Sequence, residues 1–535
     1  VYFRQLRYRR RAIRLWTPVI VIVATAAIVG GVWWSLLTRN ATPSERAERV
    51  AQMGDLETAE RVSWDAVEAN PNDVDAWVRF IDIDAAMRDG EDISTDPTQQ
   101  DSRVRVSDAA VRDALKKTTN ADVRTIATYW YDAQAPAAKP DAAAITALAN
   151  RNPPARLANA LLGRAAREAD DWRTAAQRFE REGLSFANHR DENLRRAMSL
   201  WVHHEAWPEV RKRANDPRYR GVYDASVRLD LATHDRNWPA ILLWLWPATY
   251  RSTRVWPVVL ALLAAVLWYI IATRLGRAQD DVPGRRGLYA LAFALGILSV
   301  YPTLLMLVVE EPMLGFQSDG QPVTDAIYFI FGVGLREELS KLLLFLPLLP
   351  ALKRRASRIE AMTCGALVGL GFAAEENIAY FHEASAGVAL ARFLTANFLH
   401  MALTSLLALS VYDASRGRST PRDGFNIIFP LVIGIHGVYD LFLENEAFSR
   451  LSLVSMILLV LLTQRFLRQL LIATSTTEQE GVLRLFVASM ALLTGASYVY
   501  ATTLVGPLIA IRLIALGVLG VAFVMYVFVR ELGTT

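Results

Sequence analysis

The residues of this chain best suited to chemistry are Glu337, Glu338 and Lys341, inside the apolar stretch DAIYFIFGVGLREELSKLLLFLPLLPAL at 325–352. A helix that crosses a bilayer needs about 20 mostly apolar residues, and a charge at its centre costs roughly 2.5–3.5 kcal/mol on insertion scales. This stretch is long enough to span, yet it carries Arg336, Glu337, Glu338 and Lys341 near its middle. On a helix Glu337 and Lys341 stand four apart and Glu338 and Lys341 three apart, so both carboxylates reach the lysine on one face. A carboxylate tuned between burial and a neighbouring cation can act as a general base and direct water at an amide carbonyl. The plainer reading is an ion pair that locks the helix.

Three further apolar stretches carry polar groups. Phe372 and Glu376, followed by Asn377, lie one turn apart; His400 follows in Asn397-Phe398-Leu399-His400; His436 and Asp440 are again four apart. At about 1.5 Å per residue, Glu338, His400 and His436 fall near mid-helix and Glu376 and Asp440 nearer the outer surface, so all five can face one cavity. Glu375, about 100° round the helix from Glu376, should face elsewhere. His400 and His436 can polarise a scissile carbonyl or, with Glu376, ligate zinc. Residue types favour a metal-free glutamate site, with a divalent metal such as zinc as the alternative. The catalytic candidates are therefore Glu337, Glu338, His400 and His436. Asp440 should orient His436 or polarise substrate, and Glu376 and Asn377 should position it. No His-Glu-x-x-His motif, no serine nucleophile motif paired with histidine and no membrane Gly-x-Gly-Asp is present; Gly365 and Gly369 read as close helix packing.

The elements that must hold these residues follow from composition. A 53% hydrophobic chain of 535 residues with a mean hydropathy of +0.20 is a membrane protein with a large aqueous part. A net charge of +4 is no nucleic-acid signature, and the single Cys364 excludes an intrachain disulfide and a cysteine zinc site. Residues 1–14 hold six arginines and precede the apolar run 15–38, whose length and Val32-Trp33-Trp34 end suit a retained anchor rather than a cleaved signal. Residues 40–251 have helical periodicity and no spanning run. Their tryptophans Trp172, Trp207 and Trp238 are spaced by 207 − 172 = 35 and 238 − 207 = 31, near the ~34-residue tetratricopeptide period, with further likeness at Gly54–Ala59 and Ala66–Asn72. Residues 253–530 read as nine spans, at about 255–272, 288–309, 325–352, 362–381, 388–412, 425–443, 451–467, 482–502 and 504–529. Basic clusters at Arg274/Arg277/Arg285/Arg286, Lys353/Arg354/Arg355/Arg358, Arg416/Arg418/Arg422 and Arg465/Arg468 fall on alternate connections. The positive-inside rule then sets both termini in the cytoplasm and 40–251 outside it. The expected fold is all-α: a polytopic membrane bundle with an extracytoplasmic helical-repeat domain.

At Glu337, Glu338 and Lys341 (Glu-Glu-x-x-Lys), at Phe372, Glu376 and Asn377 (Phe-x-x-x-Glu-Asn), and at His400 and His436 with Asp440, the sequence resembles the PrsW family of intramembrane endopeptidases. These are relatives of the CAAX prenyl endopeptidase and bacteriocin-processing group. The likeness covers about 288–467. It implies a glutamate-type or metal-dependent protease of a bacterial inner membrane, whose members are associated with cleaving membrane-anchored anti-sigma factors. A glutamate of the first motif would activate water and the histidines would assist. The anchor, the tetratricopeptide-like extension and the two last spans depart from the simple family member. The expected partners are a membrane-anchored protein substrate, the lipid bilayer and an adaptor on the repeat domain, with no nucleic acid. A non-enzymatic tetratricopeptide scaffold or sensor and an ion-coupled transporter are the alternatives. Only a peptidase predicts cleavage that depends on the glutamate pair.

Overall fold

Helix is the only regular structure among the described residues of this computed structural model, which are 2–38, 47, 56–91, 106–134, 139–187, 190–250, 255–276, 284–355, 357–383, 388–418, 424–445, 448, 452–471 and 476–533. Gly54, Asp55, Arg277 and Arg422 of the expected repeat and basic connections lie outside them. The chain divides into two units, Leu36–Arg251 and a second made of Val1–Ser35 with Ser252–Thr535. Helix α1 (Tyr2–Thr38) contains an apolar window, Thr17–Leu36, long enough to cross a membrane.

The Leu36–Arg251 unit continues through α2 (Leu56–Ala69), α3 (Val74–Glu91), α4 (Asp108–Lys117), α5 (Ala121–Gln134), α6 (Ala142–Asn150), α7 (Ala158–Glu168), α8 (Trp172–Ser185), α9 (Arg190–His203), α10 (Trp207–Ala214), α11 (Ala225–His234) and α12 (Trp238–Thr249). Trp172, Trp207 and Trp238 open α8, α10 and α12, each after the same turn. Two residues earlier the backbone is left-handed, at Asp170, Glu205 and Arg236. The next amide then donates to the carbonyl five residues back, Asp171 to Ala166, Ala206 to Trp201 and Asn237 to Ala232, each at 2.8 Å. This satisfies carbonyls that the helix end leaves open. Trp172 stacks on His204 and Trp207 on His234, so each tryptophan covers the following turn. Between α8, α9 and α10 lies a cavity of about 670 Å³ whose walls include Trp172, Trp201, Arg213 and Tyr219. Arg213 lies over the Trp201 ring and pairs with Glu180 and Glu209, both at 2.6 Å.

The other unit contains, after α1, helices α13 (Val255–Leu275), α14 (Arg285–Leu298), α15 (Val300–Val308), α16 (Pro322–Ile327), α17 (Leu335–Phe345), α18 (Leu349–Arg355), α19 (Arg358–Glu383), α20 (Val388–Leu394), α21 (Ala396–Ser415), α22 (Phe425–Glu444), α23 (Ser452–Leu471), α24 (Thr476–Val505) and α25 (Pro507–Gly533). Six stretches among the described residues are long and apolar enough to cross a membrane: Thr17–Leu36, Val255–Leu275, Arg285–Met313, Ala389–Ser415, Phe425–Glu444 and Gly481–Thr503. The two halves of α25, bent by 58°, make a seventh if they count as one span. The expected spans at 325–352 and 362–381 are helical but not among these, and the apolar part of α23, Val454–Leu467, is shorter.

The stretch 325–352 departs from the single unbroken helix expected of it. It runs α16, a π-helical turn at Tyr328–Gly334, α17, a 3-10 turn at Leu346–Leu348, and α18. Pro347 lies in the 3-10 turn, where a missing amide and a fixed φ oppose a continuing α-helix. The π-helical turn packs closely on α22: a Cβ on Gly334 would meet the Ile433 carbonyl oxygen at 2.6 Å, and one on Gly437 would collide with the Phe329 carbonyl. Backbone therefore rests on backbone between this turn and α22, which sets α17 beside His436. A second close approach joins α19 to α21, where a Cβ on Gly369 would run into the His400 carbonyl. The tight interface expected at Gly365 and Gly369 is thus the one that carries His400.

Gly437→Val should force these backbones apart. Overpacking of this kind costs about 1–3 kcal/mol, so the purified variant should melt several degrees lower in detergent. An unchanged melting temperature would refute the packing.

Candidate active site

Lys341 is completely buried on α17, and every one of its protons has an acceptor. Nζ lies 3.2 Å from Glu337 Oε2, 2.9 Å from Glu338 Oε1 and 2.8 Å from His400 Nδ1, with the Phe372 ring centroid at 3.9 Å. An ammonium has three donors and no acceptor, so His400 Nδ1 supplies the lone pair and its Nε2–H donates to Glu376 Oε2 at 2.9 Å. His436 Nδ1–H donates to Glu338 Oε1 at 2.9 Å, while its Nε2 stands 3.5 Å from Glu337 Oε2 and 3.3 Å from Asp440 Oδ2. Thr404 Oγ1 donates weakly to Glu338 Oε2, and the two histidine rings are 5.1 Å apart. Residues from α17, α19, α21 and α22 thus meet at one point.

Burial gives the cluster a direction. Glu338, Lys341 and His436 are at most 1% exposed, whereas the side chains of Glu337, Asp440 and Glu376 are 10%, 20% and 22% exposed. These three carboxylates form the exposed side of the cluster. Glu338, with both oxygens engaged inside the protein, is the anchored member of the pair; Glu337 is the one that can meet a substrate or a water.

The expected residues Glu337, Glu338, Lys341, Phe372, Glu376, His400, His436 and Asp440 all lie in or beside this cluster. Asn377 stands one step away: it donates to Asn397 Oδ1 and accepts from Arg392 Nε. Glu375 is buried. Arg336 turns from the cluster to pair with Glu310 at 2.6 Å. The sequence reading passed over Arg392, on α20. Its Nη2 donates to Glu376 Oε2 at 2.9 Å, and its guanidinium lies 3.6 Å from the Tyr380 ring centroid. Its signal was available: it is a charge four residues into an apolar segment, the criterion that singled out Glu337 and Glu338.

Among the described residues, ligand atoms of Glu337, His400 and His436 lie mutually within 4.8 Å. Glu376, expected as a metal candidate, is outside this group because its carboxylate is shared between His400 Nε2 and Arg392; Glu337 takes its place. Two imidazoles and a carboxylate are a common hydrolytic zinc set. By its chemistry the donor set fits a divalent metal, which would take the place on Glu337 and His400 Nδ1 that the Lys341 ammonium now occupies.

Residues 284–464 match the family model described as PrsW family intramembrane metalloprotease, a stretch that contains every residue of the cluster. The match indicates an intramembrane peptidase, and with the apolar helices it makes the chain an integral membrane protein. No curated protein and no solved structure matches the chain.

Lys341→Met would leave two buried carboxylates facing each other without a counter-charge. Removing one partner of a buried ion pair costs about 3–5 kcal/mol, so thermal unfolding should show a large loss that Glu338→Gln partly restores in the double variant. Equal stability of Lys341→Met and wild type would contradict the geometry.

Proposed function

We propose that this chain is a metal-dependent endopeptidase that cuts a membrane-anchored protein within or near the outer half of the bilayer. Glu337, His400 and His436 would hold the metal, which when bound supplies an acidified water and a Lewis acid for the scissile carbonyl. The observation that carries this reading is the convergence of those three ligands in a stretch that matches a metalloprotease family. Glu338 orients His436 through its Nδ1–H, and Glu376 orients His400 through its Nε2–H, an arrangement that fixes tautomer and ring direction. Asp440, beside His436 Nε2 and partly exposed, receives the proton of the attacking water and returns it to the leaving amine. Lys341 holds Glu337 and Glu338 on one face throughout.

A second reading is favoured by one observation, that the Lys341 ammonium already fills the cation position of the cage. There no metal binds, Glu337 itself takes the proton from water, and His400 and His436 stabilise the oxyanion. Chelation separates the two.

The charge pattern of the connections supports cytoplasmic termini and an extracytoplasmic 40–251 unit in a bacterial inner membrane. The repeated Trp turns and the aromatic and charged cavity of that unit support a tetratricopeptide-like recruiting role, toward the substrate or an adaptor. An anti-sigma factor or another envelope-stress regulator suits such a substrate.

In cells that lack this protein, wild type should produce new fragments of a membrane-anchored protein, and Glu337→Gln should lower their formation by about 10²-fold or more. A chelator should stop cleavage by the purified enzyme, zinc should restore it, and bound metal near ~1 per chain should fall in His400→Ala and His436→Ala. Cleavage indifferent to chelators would leave the glutamate reading. Fragments unchanged by Glu337→Gln in a folded variant would end both.

A further inference from the structure

Arg392 lies on the exposed side of the cluster, beside Glu376, and it grips both polar residues of the Phe-x-x-x-Glu-Asn motif. Its Nη2 and the Nε2–H of His400 converge on the same oxygen, Glu376 Oε2, each at 2.9 Å. Its Nε donates to Asn377 Oδ1, and its guanidinium lies over the Tyr380 ring, whose hydroxyl donates to Glu444 Oε1 at 2.8 Å. Asn377 in turn donates to Asn397, which is three residues before His400 on α21. The guanidinium thus braces the end of α19, which carries Glu376, against the start of α21, which carries His400.

Glu376 needs such a brace. Its side chain is 22% exposed and lies on the exposed side of the cluster, so water competes for its carboxylate. A carboxylate held by one imidazole alone would swing outward and release the ring. The rigid fork of an arginine can hold a carboxylate and a neighbouring amide at the same time, which a lysine point charge cannot.

We propose that Arg392 is a positioning residue of the hydrolytic site: it fixes Glu376 so that Glu376 fixes the tautomer and ring direction of His400. This rests on the function proposed above, but the geometric part of it stands separately. It also assigns Asn377, whose amide nitrogen and oxygen are both engaged by the protein, and Glu376 Oε2 a role other than binding substrate.

The test is a double-mutant cycle on the full-length enzyme in nanodiscs. Arg392→Gln should lower kcat by about 10–100-fold, the range for residues that orient a ligand, with KM changed less than about 2-fold. In a Glu376→Gln background the same substitution should cost less than about 2-fold, because its effect is routed through Glu376. Arg392→Lys should recover only part of the activity. Independently of turnover, in protein with ¹⁵N-labelled histidine the Nε2–H resonance that His400→Ala removes should shift in the same direction in Arg392→Gln and Glu376→Gln. Effects on kcat that simply add, or a His400 resonance that ignores Arg392→Gln, would overturn the assignment. Wild-type protein that cleaves nothing would sink the proposed function, and the resonance would then decide the positioning claim alone.

Discussion

One buried ammonium organises the membrane part of this chain. Lys341 carries a charge that the hydrocarbon core of a bilayer strongly disfavours, and it persists there because two glutamates and an imidazole take up its three protons. The reverse dependence is as strong. Glu337 and Glu338 are adjacent in sequence and buried together, and without the lysine they would repel each other in a medium that screens poorly. His400 and His436 then attach α21 and α22 to the same charge centre. Each ionisable group is tolerable only in the company of the others, so the cluster assembles as a unit.

Such a cluster requires helices closer together than ordinary side chains permit. Glycines provide the approach: Gly369 lets α19 lie against the backbone at His400, and Gly334 with Gly437 lets the π-helical turn rest on α22. The π turn also resets the rotation of α17, so that Glu337, Glu338 and Lys341 face inward while Arg336 reaches outward to Glu310. π-helical turns concentrate at functional sites because they re-aim a helix at a cost in backbone regularity. Here the residues re-aimed are those of the Glu-Glu-x-x-Lys motif.

Much of the site was legible in the sequence for an energetic reason. A charge in an apolar stretch is expensive, so Glu337, Glu338, Lys341, Glu376, His400 and His436 stood out without any structure, and helical spacing related Phe372 to Glu376 and His436 to Asp440. What stayed hidden depends on rotation and on neighbours. Glu337 and Glu338 are about 100° apart on a helix, and nothing in their order says which is anchored and which lies on the exposed side. Glu376 read as a metal candidate because its competitor for His400, Arg392, lies on another helix. Arg392 itself lies near the start of its apolar segment and was passed over. In the fold, apolar length marked α13, α21, α22 and α24 as spans, but hydropathy is blind to the breaks inside 325–352, which fall at Pro347 and at the turn packed on α22. In the other unit the tryptophan spacing was legible, while the histidines that stack on Trp172 and Trp207 were not.

The measurement that bears most directly on the central interaction is a cryo-electron microscopy map of the full-length protein in nanodiscs, at a resolution that separates side chains. The account predicts continuous density linking Lys341 Nζ to Glu337 and Glu338, with the His400 and His436 rings about 5 Å apart and His400 Nδ1 turned to Lys341 or, when metal is bound, to a metal shared with Glu337 and His436. A map in which Lys341 points to lipid or solvent, with the two histidines on separate faces of their helices, would contradict it.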